Sequence, residues 1–356
     1  MIKINFGDIN KVILFGGGLF LRDVAKQLSN SGYEVVVFSA PRHLKEQWEG
    51  GRTLKELLIK DGIDFYEVEG ISTNKKVLSN ITDKTLGLSL GAAWIFKEQF
   101  IQLFNGRLIN MHGTRLPQNR GGGGFTWQIL GKNKLGYCLV HQVFPGIDNG
   151  DIVKYKEFIY PALCQIPQDF IDYHNQKSII FFKEFMSQVK AKNDFKVVGQ
   201  PEYLSMYWPR LNTKNHAFID WSWLLEHVET FINAFDAPYG GAATFINGQK
   251  VFLKGCQVDY NDGSFHPFQQ GIIYRKMEDE ILVSVNEGTL IINKVLNEDG
   301  KGVQDELRLG ERFYTPLKYL EQAKMFKAVY TPMGLKDEVL CPPLEDDIDG
   351  KISRII

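Results

Sequence analysis

The sequence of 356 residues has little of what would announce many classes of protein. Its four cysteines, Cys138, Cys164, Cys256 and Cys341, are scattered and show no paired metal spacing. Neither a disulfide framework nor a thiolate metal centre is expected, and the cysteines read as reduced core or surface thiols. No uninterrupted apolar run approaches the roughly 20 residues that span a bilayer. Met1–Asn10 mixes Lys, Asn and Asp with single apolar residues, unlike a signal peptide. A cytoplasmic protein with no membrane partner is the expectation. Charge of one sign is also missing, since Lys plus Arg number 41 against 42 for Asp plus Glu, for a net charge of -1. No global basic field therefore advertises nucleic acid, although a local basic patch stays compatible with the total. There is no internal repeat. What remains is the composition of an ordinary globular protein, 44% hydrophobic and 23% charged, long enough for two or three domains.

Glycine is abundant, and its first cluster is a false lead. Gly16-Gly17-Gly18 follows the β-rich run Lys11–Phe15, as in a dinucleotide-binding turn. That fingerprint needs a third glycine and an acid at the end of the next strand. Leu19-Phe20-Leu21 supplies no glycine, and the strand Tyr33–Phe38 ends in Ser39-Ala40. A tight strand-to-helix turn explains the glycines better than a nicotinamide cofactor does.

Strand, turn, helix (Leu19–Leu28), strand makes a βαβ opening, which builds parallel sheets with right-handed crossovers. Further strands are expected at Asp64–Val68, Leu86–Leu90, Gly106–Met111 and Lys134–Phe144, separated by helical stretches such as Thr53–Lys60 and Lys97–Phe104. The alternation predicts a doubly wound, mostly parallel, Rossmann-like α/β domain over residues 1–200, closed by a long helix at Gln168–Val189. Residues 201–216, with Pro201, Trp208, Pro209 and Asn212–Asn215, read as a linker. A helix at Trp221–Ala234 then leads into five alternating segments, Ala243–Ile246, Gln249–Val258, Gly271–Arg275, Glu280–Val285 and Thr289–Val295. Asn247-Gly248 and Asn261-Asp262-Gly263 punctuate them, so a small antiparallel β-barrel, OB-like, is expected over 217–325. Residues 326–356 form a C-terminal tail whose acidic run, Leu344–Gly350, is expected to be solvated. An exposed apolar face on the C-terminal sheet would favour a homodimer.

The chemistry concentrates in residues 109–124, Ile-Asn-Met-His-Gly-Thr-Arg-Leu-Pro-Gln-Asn-Arg-Gly-Gly-Gly-Gly. Asn110 and His112 are two apart, so an extended backbone puts both side chains on one face. The proline and the four glycines forbid regular structure and leave the backbone open to a ligand. An amide donor beside an imidazole suits acyl transfer, where an oxyanion needs a donor and an amine must lose a proton. Downstream, Phe144-Pro-Gly-Ile-Asp-Asn-Gly-Asp151 carries two aspartates in a glycine-rich turn, and Asx-turn formation accounts for either one.

Asn-x-His, then Leu-Pro-x-x-Arg-Gly, then Gly-Ile-Asp-x-Gly-Asp resembles the 10-formyltetrahydrofolate-dependent formyltransferases, a family that includes methionyl-tRNA, glycinamide ribonucleotide and sugar N-formyltransferases. The resemblance implies a catalytic Asn110, His112 and Asp148, the aspartate before x-Gly rather than Asp151. It implies 10-formyltetrahydrofolate as co-substrate and no metal. Ser89-Leu-Gly-Ala-Ala-Trp-Ile-Phe96 sits where the family holds the pterin, which gives Ala93, Trp94 and Phe96, with Ile147, a cofactor-binding role. Phe218-Ile-Asp-Trp-Ser222 and Phe235-Asp-Ala-Pro-Tyr-Gly-Gly-Ala242 look like the start of the family's C-terminal barrel, so the resemblance covers roughly residues 10–300.

The departures from the family bear on the amine. Leu116-Pro-Gln-Asn-Arg-Gly121 looks more like the sugar N-formyltransferases than like the tRNA enzymes. Arg115, Asn119, Arg120 and Gly121 are therefore expected to bind substrate, with Arg115 free to meet a phosphate or carboxylate. The loop Ala40–Arg52, where the tRNA enzymes carry a basic insertion, has its charge diluted by Glu46 and Glu49 and contains Trp48. A small substrate fits this better than an RNA bound by phosphate neutralisation. The expected partner is a nucleotide-linked amino sugar. Transfer RNA, a pseudaminic-acid precursor, a peptide intermediate and an idle folate- or nucleotide-binding relative are the alternatives.

Overall fold

A computed structural model describes residues 2–122 and 124–336. The acidic run 344–350, Cys341 and Gly123 lie outside the described residues. The N-terminal part is a seven-stranded sheet in the order β3-β2-β1-β4-β5-β6-β7, with β1 Lys11–Gly16, β2 Glu34–Ser39, β3 Asp64–Glu67, β4 Thr85–Leu90, β5 Leu108–His112, β6 Leu135–Gln142 and β7 Ile152–Ile159. The first five run parallel, while β6 is antiparallel to β5 and to β7. Alternate residues of the central strands serve opposite faces, as the pleat requires. Val12 and Leu14 meet Leu21, Val24 and Leu28 of α1 (Gly18–Asn30) and Phe181, Phe182 and Phe185 of α4 (Pro167–Lys190). Ile13 and Phe15 face Phe96, Phe100 and Phe104 on the other side. Between them lie α2 (Leu54–Lys60), started by the reciprocal Thr53–Glu56 capping box, and α3 (Gly124–Leu130). Among the described residues no helix is long and apolar enough to cross a membrane.

The glycines at 16 and 17 serve close approach. A Cβ on Gly16 would stand 1.9 Å from the Leu90 carbonyl oxygen, and one on Gly17 would stand 2.6 Å from the His43 ring. Cys138, Cys164 and Cys256 are buried free thiols.

After α5 (Leu225–Ala234), five antiparallel strands follow in the order β8-β9-β12-β11-β10: β8 Ala242–Ile246, β9 Gln249–Asp259, β10 Ile273–Met277, β11 Glu280–Val285 and β12 Gly288–Leu296. Tyr314 pairs with Phe245 at one edge, and Arg312 pairs with Ile272 beside the other. One short segment thus bridges both edges and closes the sheet, which removes the exposed pairing groups of an open one. Phe313 between them is buried and stacks on Trp221 at 5.7 Å. The barrel core takes in Ile129 of α3, Tyr160 and Phe170, so the two parts share apolar packing.

Two expectations need correction. The stretch 120–124 is not irregular throughout, because Arg120–Gly121 pairs in parallel with Tyr207–Trp208, and Gly124 opens α3. A partner strand from the expected linker supplies hydrogen bonds that the local sequence does not foretell. The strand β7 also goes unseen in the sequence, where polar and apolar residues mix along an edge with one exposed face.

Candidate active site

The site forms where the sheet changes direction. Strand β5 runs parallel to β4 on one side and antiparallel to β6 on the other, and open α/β sheets bind ligands beyond the carboxyl ends of their strands. Asn110 and His112 share one face at that end, as the spacing predicts. Directly across the ladder from Asn110 stands His141 of β6, a residue that sequence reading missed. Opposed residues on adjacent antiparallel strands bring their side chains together. The Asn110 Nδ2 group donates to His141 Nε2 at 3.0 Å. His141 Nδ1–H donates to the Gln142 carbonyl at 2.7 Å, which leaves Nε2 as the acceptor.

The turn Pro145–Gly150 carries Asp148 in the left-handed region at φ 51°. Gly150 must be glycine there, since a Cβ would lie 1.8 Å from the Gln142 carbonyl oxygen. Gln200 ties the turn down by donating to the carbonyls of Asp148 at 2.8 Å and Gly150 at 2.7 Å. The Asp148 carboxylate accepts from Gly121 N–H at 3.0 Å and from Asn110 Nδ2 at 3.5 Å. It stands 3.8 Å from His112 Nδ1 and 3.6 Å from His141 Nε2. Asp151, the rejected aspartate, is absent from the residues lining either cleft described below.

His112 is held by its other nitrogen. Nε2–H donates to the Asn119 carbonyl at 2.8 Å, with the Thr114 hydroxyl also 2.8 Å away. The neutral ring therefore keeps its proton on Nε2, and Nδ1, facing Asp148, is free to take another. Burial pushes the His112 pKa down, against the pull of the Asp148 charge, so the imidazole is neutral near pH 7. Burial alone would raise the Asp148 carboxyl, but the facing His112 and the Gly121 N–H hold it well below the usual carboxylate range. The site thus pairs a neutral base with a fixed negative charge.

Two clefts meet at His112. The first, about 520 Å³, is lined by Asn110, Asp148, His141 and the expected Ala93, Trp94, Phe96 and Ile147. The Trp94 ring is steadied by Nε1–H donating to the Glu69 carbonyl at 2.8 Å, and Phe96 also packs on Phe15 and Phe100. The second, about 550 Å³, has aromatic walls from Phe125, Trp127, Trp208, Tyr239 and Tyr330. His112, Gly121, Gly122, Arg210 and Tyr330 line both.

The expected substrate residues fare unevenly. Gly121 lies at the junction, where a Cβ would strike the Trp208 carbonyl oxygen at 2.3 Å. Asn119 borders the second cleft but acts through its backbone carbonyl, its side chain turning back to the Arg115 carbonyl at 3.1 Å. Arg120 borders it too, yet its guanidinium is engaged by Gln200 at 3.1 Å and Glu202 at 2.9 Å, so it braces the Asp148 turn. Arg115 is exposed and lines neither cleft, because the chain reverses there and sends its side chain outward. Residues 201–216 and 326–336, expected as linker and tail, instead supply Trp208, Arg210 and Lys327–Tyr330 to the cleft walls. No local signal marks either role.

Comparison with known proteins agrees with this architecture. Residues 212–306 match the family described as "Formyl transferase, C-terminal domain". A methionyl-tRNA formyltransferase of Ruminiclostridium cellulolyticum is 26% identical over 310 residues, covering 84% of this chain and 96% of the relative. Among solved structures, WlaRD, a sugar 3N-formyl transferase determined with dTDP and 5-N-formyl-THF, aligns at TM-score 0.58 and 18% identity, covering 82% of this chain and all of that one. The N-formyltransferase of Helicobacter canadensis, in complex with folinic acid and dTDP-3-aminofucose, aligns at TM-score 0.58 and 18% identity over 80% of this chain and 98% of its own. Fold and site define an α/β group-transfer enzyme with a closed C-terminal barrel. The C-terminal match, the methionyl-tRNA formyltransferase relatives and the structural neighbours together support a folate-dependent formyltransferase.

Proposed function

We propose that the chain moves the formyl group of 10-formyltetrahydrofolate onto a primary amine, the amino group of a nucleotide-linked amino sugar. The observation that carries this reading is the meeting of two clefts at His112, beside Asn110 and Asp148. The first cleft, with the flat Trp94 and the apolar Phe96 and Ile147, fits a pterin ring, and a folate bound there supplies the activated formyl carbon. Asn110 Nδ2 gives up its long 3.5 Å contact to Asp148 and donates to the oxyanion that develops on attack, worth about 3 kcal/mol in comparable sites. His112 Nδ1 takes the proton of the attacking amine, and Asp148 stabilises the imidazolium so formed. The proton then passes from His112 toward the departing folate nitrogen.

For the amine, the second cleft offers aromatic faces to a sugar nucleotide. The Ala40–Arg52 loop supports a small acceptor as well. Its Trp48 packs against the main core, and Glu46 lines the second cleft 4.0 Å from Arg42, which sets an acidic group among the loop's cations. The second reading is a methionyl-tRNA formyltransferase, favoured by relatives of that name that match over nearly their whole length. Incubation with 10-formyltetrahydrofolate, a panel of amino-sugar nucleotides and charged initiator tRNA separates the two. Formylated sugar is the expected product, and formylation of the tRNA alone refutes the choice of acceptor.

A further inference from the structure

The wall at the junction of the clefts carries charge that the reaction above does not use. Arg42 lies in the short turn Pro41–Leu44 after β2, and Arg210 lies in residues 201–216. Their guanidinium carbons sit 5.5 and 5.2 Å from the centroid of the Tyr330 ring. Glu46 faces Arg42 at only 4.0 Å, and Arg42 Nε is buried with no hydrogen-bond partner among the described residues. Lys327 adds a further cation to the first cleft. Burial and the nearby Arg210 both depress the Arg42 pKa, so two like charges are held together against their repulsion.

The segment Phe326–Lys336 delivers Tyr330 to this place. The Phe326 carbonyl accepts from His216 Nε2–H at 3.1 Å, the Tyr330 hydroxyl meets Asn212 Nδ2 at 3.0 Å, and the Pro332 carbonyl accepts from Arg42 N–H at 3.1 Å. Tyr330–Thr331 then pairs with Gly334–Leu335. All of it lies beyond the residues matched to the family's C-terminal domain.

We propose that Arg42, Arg210 and Tyr330 form an anion-binding wall, set by the segment 326–336, that takes the diphosphate of the acceptor and seats its amine at His112. The proposal rests on the two-cleft reading above. A guanidinium presents a planar fork of donors to phosphate oxygens, and two forks at one junction match two adjacent negative groups. Cation–π contact of both groups with the one ring ties their positions together. The Trp127–Trp208 pair, 5.1 Å between centroids, is then left to the rest of the acceptor.

The test is titration calorimetry on the full chain with pyrophosphate, dTDP and 5-formyltetrahydrofolate. Pyrophosphate and dTDP are expected to bind, and Arg42→Ala, Arg210→Ala and Tyr330→Ala each to weaken dTDP about ten-fold or more, as loss of a charged hydrogen bond or its support implies. Tyr330→Phe, which keeps the ring, should restore most of that affinity, and 5-formyltetrahydrofolate should bind all variants alike. If an alanine variant does not fold, Arg42→Lys or Arg210→Lys replaces it, with the same weakening expected because the fork is lost. Failure of the wild type to bind either phosphate ligand at millimolar concentration overturns the proposal, as does dTDP affinity indifferent to all three residues. Weakening of 5-formyltetrahydrofolate alone also overturns it and assigns the cations to that ligand's carboxylates. Because these measurements need no turnover, their failure is distinct from a failure to detect formylated product.

Discussion

Replacing Asp148 by Asn keeps the shape of the side chain and removes its charge. In the proposed reaction that charge faces the proton gained by His112 Nδ1 across 3.8 Å. At an effective dielectric constant of about 20, such a pair interacts by about 4 kcal/mol, or roughly three decades in rate. The new amide NH2 must also point toward a donor, either the Gly121 N–H or the Asn110 amide, both of which the carboxylate now accepts. Asp148→Asn should therefore lower kcat about 1,000-fold with little change in the KM for folate. The assay is the rate of formyl loss from 10-formyltetrahydrofolate with acceptor in excess, beside a thermal melt to show that the variant folds. The residual activity should show its acid limb at lower pH than the wild type, because the carboxylate no longer favours the imidazolium. A folded Asp148→Asn enzyme within ten-fold of wild-type kcat would refute the assignment.

Other predictions follow from the same geometry. Asn110→Ala should cost about 3 kcal/mol of transition-state stabilisation, seen as a two- to three-decade loss in kcat. It should also leave His141 without its donor. Gly121→Ala forces a Cβ toward the Trp208 carbonyl at φ 101°, so the Arg120–Gly121 ladder must part. A lower melting temperature and lost turnover are expected, and an unchanged melt would contradict the packing. His43 and His174 are buried, and burial drives both pKa values down to about 4. The unfolded chain takes up protons near pH 6.5 while the folded chain resists. Stability should thus fall as pH drops from about 6.5 to about 4, by as much as roughly 3 kcal/mol per group. His174→Gln, tested by melts across that window, should flatten the slope.

The glycine-rich turn after the first strand, the helices on both sides and the alternating strands of the barrel were legible because each is a local pattern. Hydrophobic period and turn chemistry act over a few residues, and the chain obeys both. The pair Asn110 and His112 was legible for the same reason, since strand geometry alone puts them on one face. Asp148 needed the family resemblance, because in isolation it and Asp151 are equally good turn formers.

The tertiary structure decided the rest. His141 enters the site because register sets it opposite Asn110, and register is a relation between strands that neither strand contains. Arg120, expected to meet substrate, is drawn inward by Gln200 and Glu202, and Arg115 is turned out by the reversal that places Asn119 under His112. Trp208, Arg210 and Tyr330 come from segments with no regular pattern; long-range hydrogen bonds bring Trp208 and Tyr330 to the clefts, and Arg210 lies over the Tyr330 ring. The sequence by itself determined which groups could perform the chemistry. Tertiary packing decided which of them face the clefts, because the reach of a side chain depends on contacts made far along the chain.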